Sequence, residues 1–306
     1  MKIQFAFTAI ICLIALGCSE KSQAKKSNRN GLPVVVATNA PLHYIARQLA
    51  GNQIEVSFPV PSDVDPADWQ PTADEILAMQ RADLILANGA TYEKWMGNAS
   101  LPESKIVNTS SAFKDNWIET ADGIVHSHGP DGAHSHFGTA FTTWIDFNQA
   151  LQQANAVRES LLKLAPHAAE TISGNFKNLE YDLKLLDEQM AIAAKSIGNQ
   201  PLIVSHPVYQ YWTRRYMLNT HSVHLEPAEV PATAELEKLK KLLVDHPAKF
   251  IIWEGQPSDE NVKLMQGMGL TSVVFAPYAN RPDKLDWQRQ MQVNIANLKV
   301  IFEPTN

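Results

Sequence analysis

The sequence predicts an α/β protein of two lobes, each a parallel-type sheet flanked by helices, joined by a single long rigid helix. Short apolar runs alternate with amphipathic stretches both before residue 166 and after residue 198, which is the pattern of strand–helix units. Between these two sets, apolar side chains recur in alternating steps of four and three residues. Such a stripe is typical of one continuous helix, so we expect it to link two separate sheets.

In the N-terminal lobe, residues 32–166, local signals mark where helices begin and end. Asn39 precedes the first amphipathic stretch as an N-cap, and Gly51 closes it. Asp74 and Glu75 fall in the first turn of the next helix, where acidic side chains favour the helix dipole. The expected strands cover residues 32–37, 54–58, 82–87 and 105–108, and the expected helices cover residues 41–50 and 72–80.

The apolar stripe from Ile172 to Ile197 predicts a linking helix over residues 167–197, on the order of 45 Å long at 1.5 Å per residue. A coiled coil would show the same steps, but strand patterns resume directly afterwards and favour a helix packed along both lobes. The C-terminal lobe covers residues 198–306. Its expected strands are 201–205, 250–253 and 272–275, and its expected helices are 208–216, 232–244, 258–268 and 286–298.

The N-terminus indicates export and a lipid anchor. Lys2 and the apolar run over residues 5–16 are typical of a signal peptide, because the run is too short to span a bilayer. It leads into Gly17-Cys18, which resembles a bacterial lipobox, whose cysteine becomes the lipidated first residue. We therefore expect a signal peptide over residues 1–17, lipidation of Cys18 and a flexible tether over residues 18–31. A plain secretory signal is the alternative.

This N-terminus predicts an extracytoplasmic protein, anchored by lipid on the periplasmic side of a bacterial membrane. The formal net charge of −6 at pH 7 gives no basic field, so we expect no nucleic-acid partner. Cys12 and Cys18 are the only cysteines, which leaves the folded body without a disulfide or a thiolate ligand. Any metal site must therefore be built from His, Asp and Glu.

Four of the ten histidines form two His-x-His pairs, His126/His128 and His134/His136. Gly, Pro and Asp residues separate the pairs and favour a turn. A loop that doubles back would bring the two pairs together, and neutral imidazole is a common ligand for zinc and other transition metals. A solvated polar loop that touches metal only loosely is the alternative.

The order and spacing of several short motifs resemble one family across essentially the whole body. The motifs are Thr38-Asn39, Asp65-Pro66, Gln70-Pro71-Thr72, Ala82-Asp83-Leu84, Asn88-Gly89, Trp144-Ile145-Asp146, Val204-Ser205-His206, Tyr211, Tyr216, Glu226-Pro227, Trp253-Glu254 and Gln256-Pro257. The chain thus resembles the zinc/manganese-type (cluster A-I) substrate-binding lipoproteins of bacterial ABC importers. The resemblance implies two lobes joined by one rigid helix and a metal site between them.

Only one of the four ligands that the resemblance implies is present. The Ser-His element supplies His206, but Ala67, Thr142 and Ala276 stand where the other three ligands are expected. His206 alone cannot hold zinc tightly, because zinc takes about four N or O donors.

Two interpretations stay open. In the first, the site is rebuilt around His206, with partners from the loop histidines His126, His128, His134 and His136, and with Glu254 as the replacement carboxylate. His221, His224 and Glu226 offer further donors. In the second, the fold persists and its cleft holds no tight metal.

The expected function is therefore that of a lipid-anchored, monomeric receptor that captures a divalent metal and passes it to an ABC permease. Zn²⁺ is expected ahead of Mn²⁺, because histidine-rich ligation favours zinc. The alternative is the same fold acting as an adhesin, a scaffold or a loose metal collector. The run His126-Ser-His128-Gly-Pro-Asp131 resembles a metallohydrolase element, but its Asp is one place too late and no His follows it. We therefore expect no enzyme.

Overall fold

A computed structural model describes residues 31–126, 134–280 and 285–303 of the chain. Residues from Leu32 onward belong to one compact unit. Its first sheet is parallel, with the strand order β2-β1-β3-β4. The strands are β1 (Val34–Ala37), β2 (Glu55–Ser57), β3 (Leu84–Ala87) and β4 (Ile106–Asn108).

Two helices accompany the first sheet, and each begins at a capping side chain. Helix α1 (Ala40–Ala50) is capped by Asn39, whose Oδ1 accepts from the backbone N–H of Leu42 at 2.9 Å. Helix α2 (Ala73–Arg81) begins with a capping box in which Thr72 and Glu75 bond each other's backbone N–H. Both caps satisfy donors that the first turn of a helix leaves unpaired.

A hairpin and two long helices follow. Strands β5 (Glu119–His126) and β6 (His134–Thr139) pair antiparallel, and the backbones of His126 and His134 lie opposite each other. The tip of the hairpin, which includes His128, lies outside the described residues, as do the side chains of His126, His134 and His136. Helix α3 (Phe147–Leu164) then leads to α4 (Ala169–Ile197), whose 29 residues give a length of about 44 Å.

Helix α4 packs against helices from both halves of the protein. All eight apolar residues of the predicted stripe, spaced from Ile172 to Ile197, are buried. Helix α4 packs against α1 and α3, which precede it in the chain. It also packs against three helices that follow it, α5 (Gln210–Tyr216), α8 (Trp287–Asn297) and α9 (Lys299–Phe302). A helix with a single apolar face has to be covered along its full length, and helices from both halves of the unit supply that cover.

The second sheet has four strands in an arrangement equivalent to that of the first sheet. It is parallel, with the order β10-β9-β7-β8. Its strands are β7 (Leu202–Val204), β8 (Thr220–Ser222), β9 (Phe250–Trp253) and β10 (Thr271–Val274). Its helices are α5 (Gln210–Tyr216), α6 (Thr233–Asp245), α7 (Asp259–Gly267), α8 (Trp287–Asn297) and α9 (Lys299–Phe302).

The predicted fold class, with two parallel sheets and a long helix between them in sequence, is confirmed. Most elements begin or end within one or two residues of the expected bounds, because capping and sheet edges decide the last residue. The short strand β8, helix α3 and the β5–β6 hairpin were not predicted. No helix within the described ranges is long and apolar enough to cross a membrane.

Hydrogen bonds tie the half of the molecule that contains the first sheet to the half that contains the second. The indole Nε1 of Trp144 donates to the carbonyl of Pro277 at 2.8 Å. The hydroxyl of Tyr211 donates to the carbonyl of Ala140, also at 2.8 Å, beside the base of the β5–β6 hairpin. These contacts fix the two walls of the cleft described next.

Candidate metal centre

Three potential metal ligands meet at one end of the second sheet: His206, Glu226 and Glu254. Nε2 of His206 lies 3.1 Å from Oε1 of Glu226, and Nδ1 lies 2.9 Å from Oε1 of Glu254. One ligand atom from each residue falls within 4.8 Å of the other two. Among the residues that the structure describes, this is the group able to hold a metal ion.

Strand topology brings these residues together. His206 follows β7 and Glu254 directly follows β9, its neighbour in the sheet, while Glu226 follows β8 on the other side of β7. Since parallel strands run in the same direction, their carboxyl ends open at one edge of the sheet. Binding groups in α/β proteins gather at such an edge.

The backbone around both carboxylates is held by hydrogen bonds. The N–H of Glu254 donates to Oγ of Ser205 at 3.3 Å, which ties the end of β9 to the end of β7. The fully buried Asn261 directs its Nδ2 at the carbonyls of Glu226, Pro227 and Glu229, at 3.2, 2.9 and 2.9 Å. Positioning of this kind lowers the entropy that ligands lose when an ion binds.

The buried imidazole carries a proton in this arrangement. His206 is only 2% exposed, and burial alone would lower its pKa. The hydrogen bonds and negative charges of Glu226 and Glu254 outweigh burial and raise the pKa of His206 to about 10. Without a metal, the three residues therefore form an imidazolium between two carboxylates, and a cation arriving there must displace the proton.

Glu254 also lines a cleft of about 960 Å³ between the two halves of the unit. Thr142 and Ala276, two positions where the resemblance places metal ligands, line the same cleft, and so does Pro66, next to Ala67. The positions where expected metal ligands are missing therefore lie at the wall of the cleft. His206, Glu226 and Glu254 lie together on the side formed by the second sheet, while the carboxylates of Asp63 and Asp65 line the cleft elsewhere.

The structure unites some of the predicted donors and separates others. His206 and Glu254 are in contact, and Glu226, which the sequence offered only as an additional donor, joins them. The Glu226-Pro227 motif was the signal for it. His221 instead lies against His246, with ring centroids 5.8 Å apart. The four loop histidines stay predictions, because their side chains lie outside the described part.

Comparisons with known proteins agree with this architecture. The family described as "Zinc-uptake complex component A periplasmic" matches residues 35–300. The high-affinity zinc uptake system protein ZnuA of Bacillus subtilis is 26% identical over 260 residues, which cover 82% of this chain and 79% of that protein. The zinc-binding lipoprotein AdcA of Streptococcus pneumoniae is 23% identical over 314 residues, which cover 100% of this chain but only 61% of that protein.

A solved structure shows the same fold. The crystal structure of the Zn(II)-bound ZnuA-like domain of Streptococcus pneumoniae AdcA superposes with a TM-score of 0.75 and 18% sequence identity. The match covers 89% of this chain and 100% of that one. The resemblance drawn from the short motifs is confirmed by these matches.

Proposed function

Because this chain belongs to the family of the periplasmic zinc-uptake component A, we propose that it captures Zn²⁺ outside the cytoplasmic membrane and delivers it to the permease of an ABC importer. It acts as a binding protein and not as an enzyme. The observation that carries this proposal is the contact of His206 with Glu226 and Glu254 at the edge of the cleft.

These three residues provide a donor set suited to a divalent cation. An imidazole can give only one nitrogen to a given ion, so the carboxylate that faces the other nitrogen of His206 has to turn toward the ion to bind it. The ion would replace the proton that His206 carries, and capture therefore weakens as the pH falls.

The donor chemistry favours Zn²⁺ and leaves Mn²⁺ as the second choice. A nitrogen donor together with carboxylates suits zinc at four-coordination. Manganese prefers oxygen-rich sites with more ligands, and the two glutamates alone supply few of them. The permease and the lipid anchor at Cys18 belong to the same proposal, because a captured ion must be passed on at the membrane surface. We propose a monomer for this task.

The competing proposal is a scaffold, an adhesin or a loose collector of metal on the same fold. The specific observation behind it is that Ala67, Thr142 and Ala276 stand where the resemblance places three of the four metal ligands, while the imidazolium of His206 is already paired with two carboxylates. In that case the charged cluster stabilises the second sheet and does not bind an ion.

Zinc titration of the lipoprotein, purified in detergent and stripped with a chelator, separates the two proposals. We expect one tight Zn²⁺ site in the wild type and its loss in His206→Ala. His167→Ala is the matched control, because His167 is exposed and lies outside the cluster. A wild-type protein that binds no Zn²⁺, or a His206→Ala variant that binds as tightly as wild type, would refute the receptor proposal.

A further inference from the structure

A second imidazole lies beside the cluster. The ring of His224 stands perpendicular to that of His206, with their centroids 6.1 Å apart. His206 is buried, whereas His224 is exposed. The resemblance placed no metal ligand at this position.

The backbone sets the direction in which His224 projects. The N–H groups of Val223 and Leu225 donate to the carbonyls of Val204 and Ser205, both at 2.9 Å, so the segment after β8 continues along β7 in an extended form. Side chains of an extended segment alternate between its two faces. Leu225 is buried in the apolar cluster beneath the sheet, so His224 and Glu226 share the opposite face.

We propose that His224 is the fourth protein ligand of the metal site, completing a set of two nitrogens and two oxygens with His206, Glu226 and Glu254. This inference rests on the proposed function, because it requires that the cluster holds Zn²⁺. It also means that all the protein ligands follow strands β7, β8 and β9 of one sheet. The side of the cleft that belongs to the first half of the unit, where Thr142 stands at a position expected to hold a ligand, then supplies no ligand.

The geometry needs only a small adjustment. With Zn–N distances of about 2.0–2.1 Å, two imidazoles bound tetrahedrally to one zinc ion have ring centroids about 5 Å apart. The observed separation of 6.1 Å therefore has to shorten by about 1 Å. An exposed side chain achieves this by a change of rotamer, at little cost to the packing.

The difference in exposure gives the two histidines different tasks. His206 is held by both carboxylates and fixes the position of the ion. His224 closes the side that faces solvent, so it is the last ligand to engage and the first to release. A site of this kind holds its ion firmly yet opens without unfolding the buried part.

Zinc affinity and the visible spectrum of the Co²⁺-substituted protein test this role in the full-length protein. We expect His224→Ala to weaken Zn²⁺ binding by at least the roughly 10- to 100-fold lost when a hydrogen-bonding partner of a metal ligand is removed. The strong absorption of four-coordinate Co²⁺ should fall in the same variant. His221→Ala is the matched control, because His221 lies three residues earlier but contacts His246.

The outcomes separate this inference from the proposed function. A wild-type protein that binds no Zn²⁺ overturns both. If His206→Ala loses binding but His224→Ala keeps wild-type affinity and an unchanged Co²⁺ spectrum, the fourth ligand is refuted and the receptor stands. An equal loss in His221→Ala would also overturn it, because the effect would then belong to the segment and not to one imidazole. Thermal unfolding of each metal-free variant shows that it is folded.

Discussion

Oε1 of Glu254 lies 2.9 Å from Nδ1 of His206, at the point where two neighbouring parallel strands of the second sheet end. The carboxylate faces the cleft and the imidazole is buried behind it. Glu226 meets the other nitrogen of the same ring. The His206 imidazole thus contacts one carboxylate that lines the cleft and a second carboxylate on its other side. The predictions about pH and zinc binding follow from these two contacts.

The first prediction concerns pH. The pKa of His206 is raised from 6.5 to about 10 in the folded protein, so protonated His206 stabilises the metal-free fold. This contribution is complete below pH 6.5, declines as the pH rises and is lost once the pH passes about 10. Urea unfolding in the presence of a chelator should show that the free energy of unfolding of wild type exceeds that of His206→Gln by a margin that shrinks between these values. A margin that stays constant with pH would contradict this assignment.

The second prediction concerns the support of Glu226. Asn261→Ala removes the amide that bonds three carbonyls of the loop carrying Glu226. Loss of these hydrogen bonds should lower the free energy of unfolding by about 1–3 kcal/mol, and zinc affinity should fall because the carboxylate is less well positioned. Asn297→Ala is the control, since it removes a single bond to the carbonyl of Val274. Equal zinc affinities in the two variants would contradict a positioning role.

The third prediction concerns helix α4. Leu183 is 1% exposed and Leu185 is 37% exposed on the same helix. Leu183→Ala should lower the free energy of unfolding by about 2–5 kcal/mol, because it leaves a cavity in the core. Leu185→Ala removes the same atoms from a partly solvated site, so its effect should be much smaller. Chemical denaturation measures both, and similar losses would show that the stripe does not define the buried face.

The fourth prediction concerns domain movement. Hydrogen bonds from Trp144 and Tyr211 already join the two halves, and the proposed ligands all follow strands of one sheet. Small-angle X-ray scattering should therefore give nearly the same radius of gyration with and without Zn²⁺. A clear compaction on zinc binding would instead require that the first lobe closes onto the ion.

The fifth prediction concerns the anchor. Cys18→Ser should release the protein from the membrane fraction, because the expected lipid attachment site is lost. Cys12→Ser is the matched control, since Cys12 lies within the apolar run and not at the cleavage position. Membrane fractionation measures whether each variant stays attached, and mass spectrometry of the N-terminus shows whether Cys18 is modified. An unmodified N-terminus beyond residue 18 in wild type would refute the anchor.

The sequence by itself determined the class of the fold, because local periodicity reports which side of an element is buried. The stripe from Ile172 to Ile197 needs no knowledge of partners: its spacing matches the turn of a helix, and every one of its residues is buried. Asn39 and Thr72 likewise cap helices through bonds to residues three positions away. The sequence also revealed the donors that are missing, since Ala67, Thr142 and Ala276 have no group that binds zinc tightly.

Only the tertiary structure decided which of the remaining donors meet. His206, Glu226 and Glu254 follow three different strands, and the order β9-β7-β8 places their ends side by side. That order depends on how strands far apart in sequence pair, which no local pattern encodes. The same pairing carries Glu226 to His206 and brings His224 beside them, whereas His221, on the same segment, turns to His246. In an extended segment, a shift of one residue moves a side chain to the other face, and that is why the sequence could name these histidines but could not choose between them.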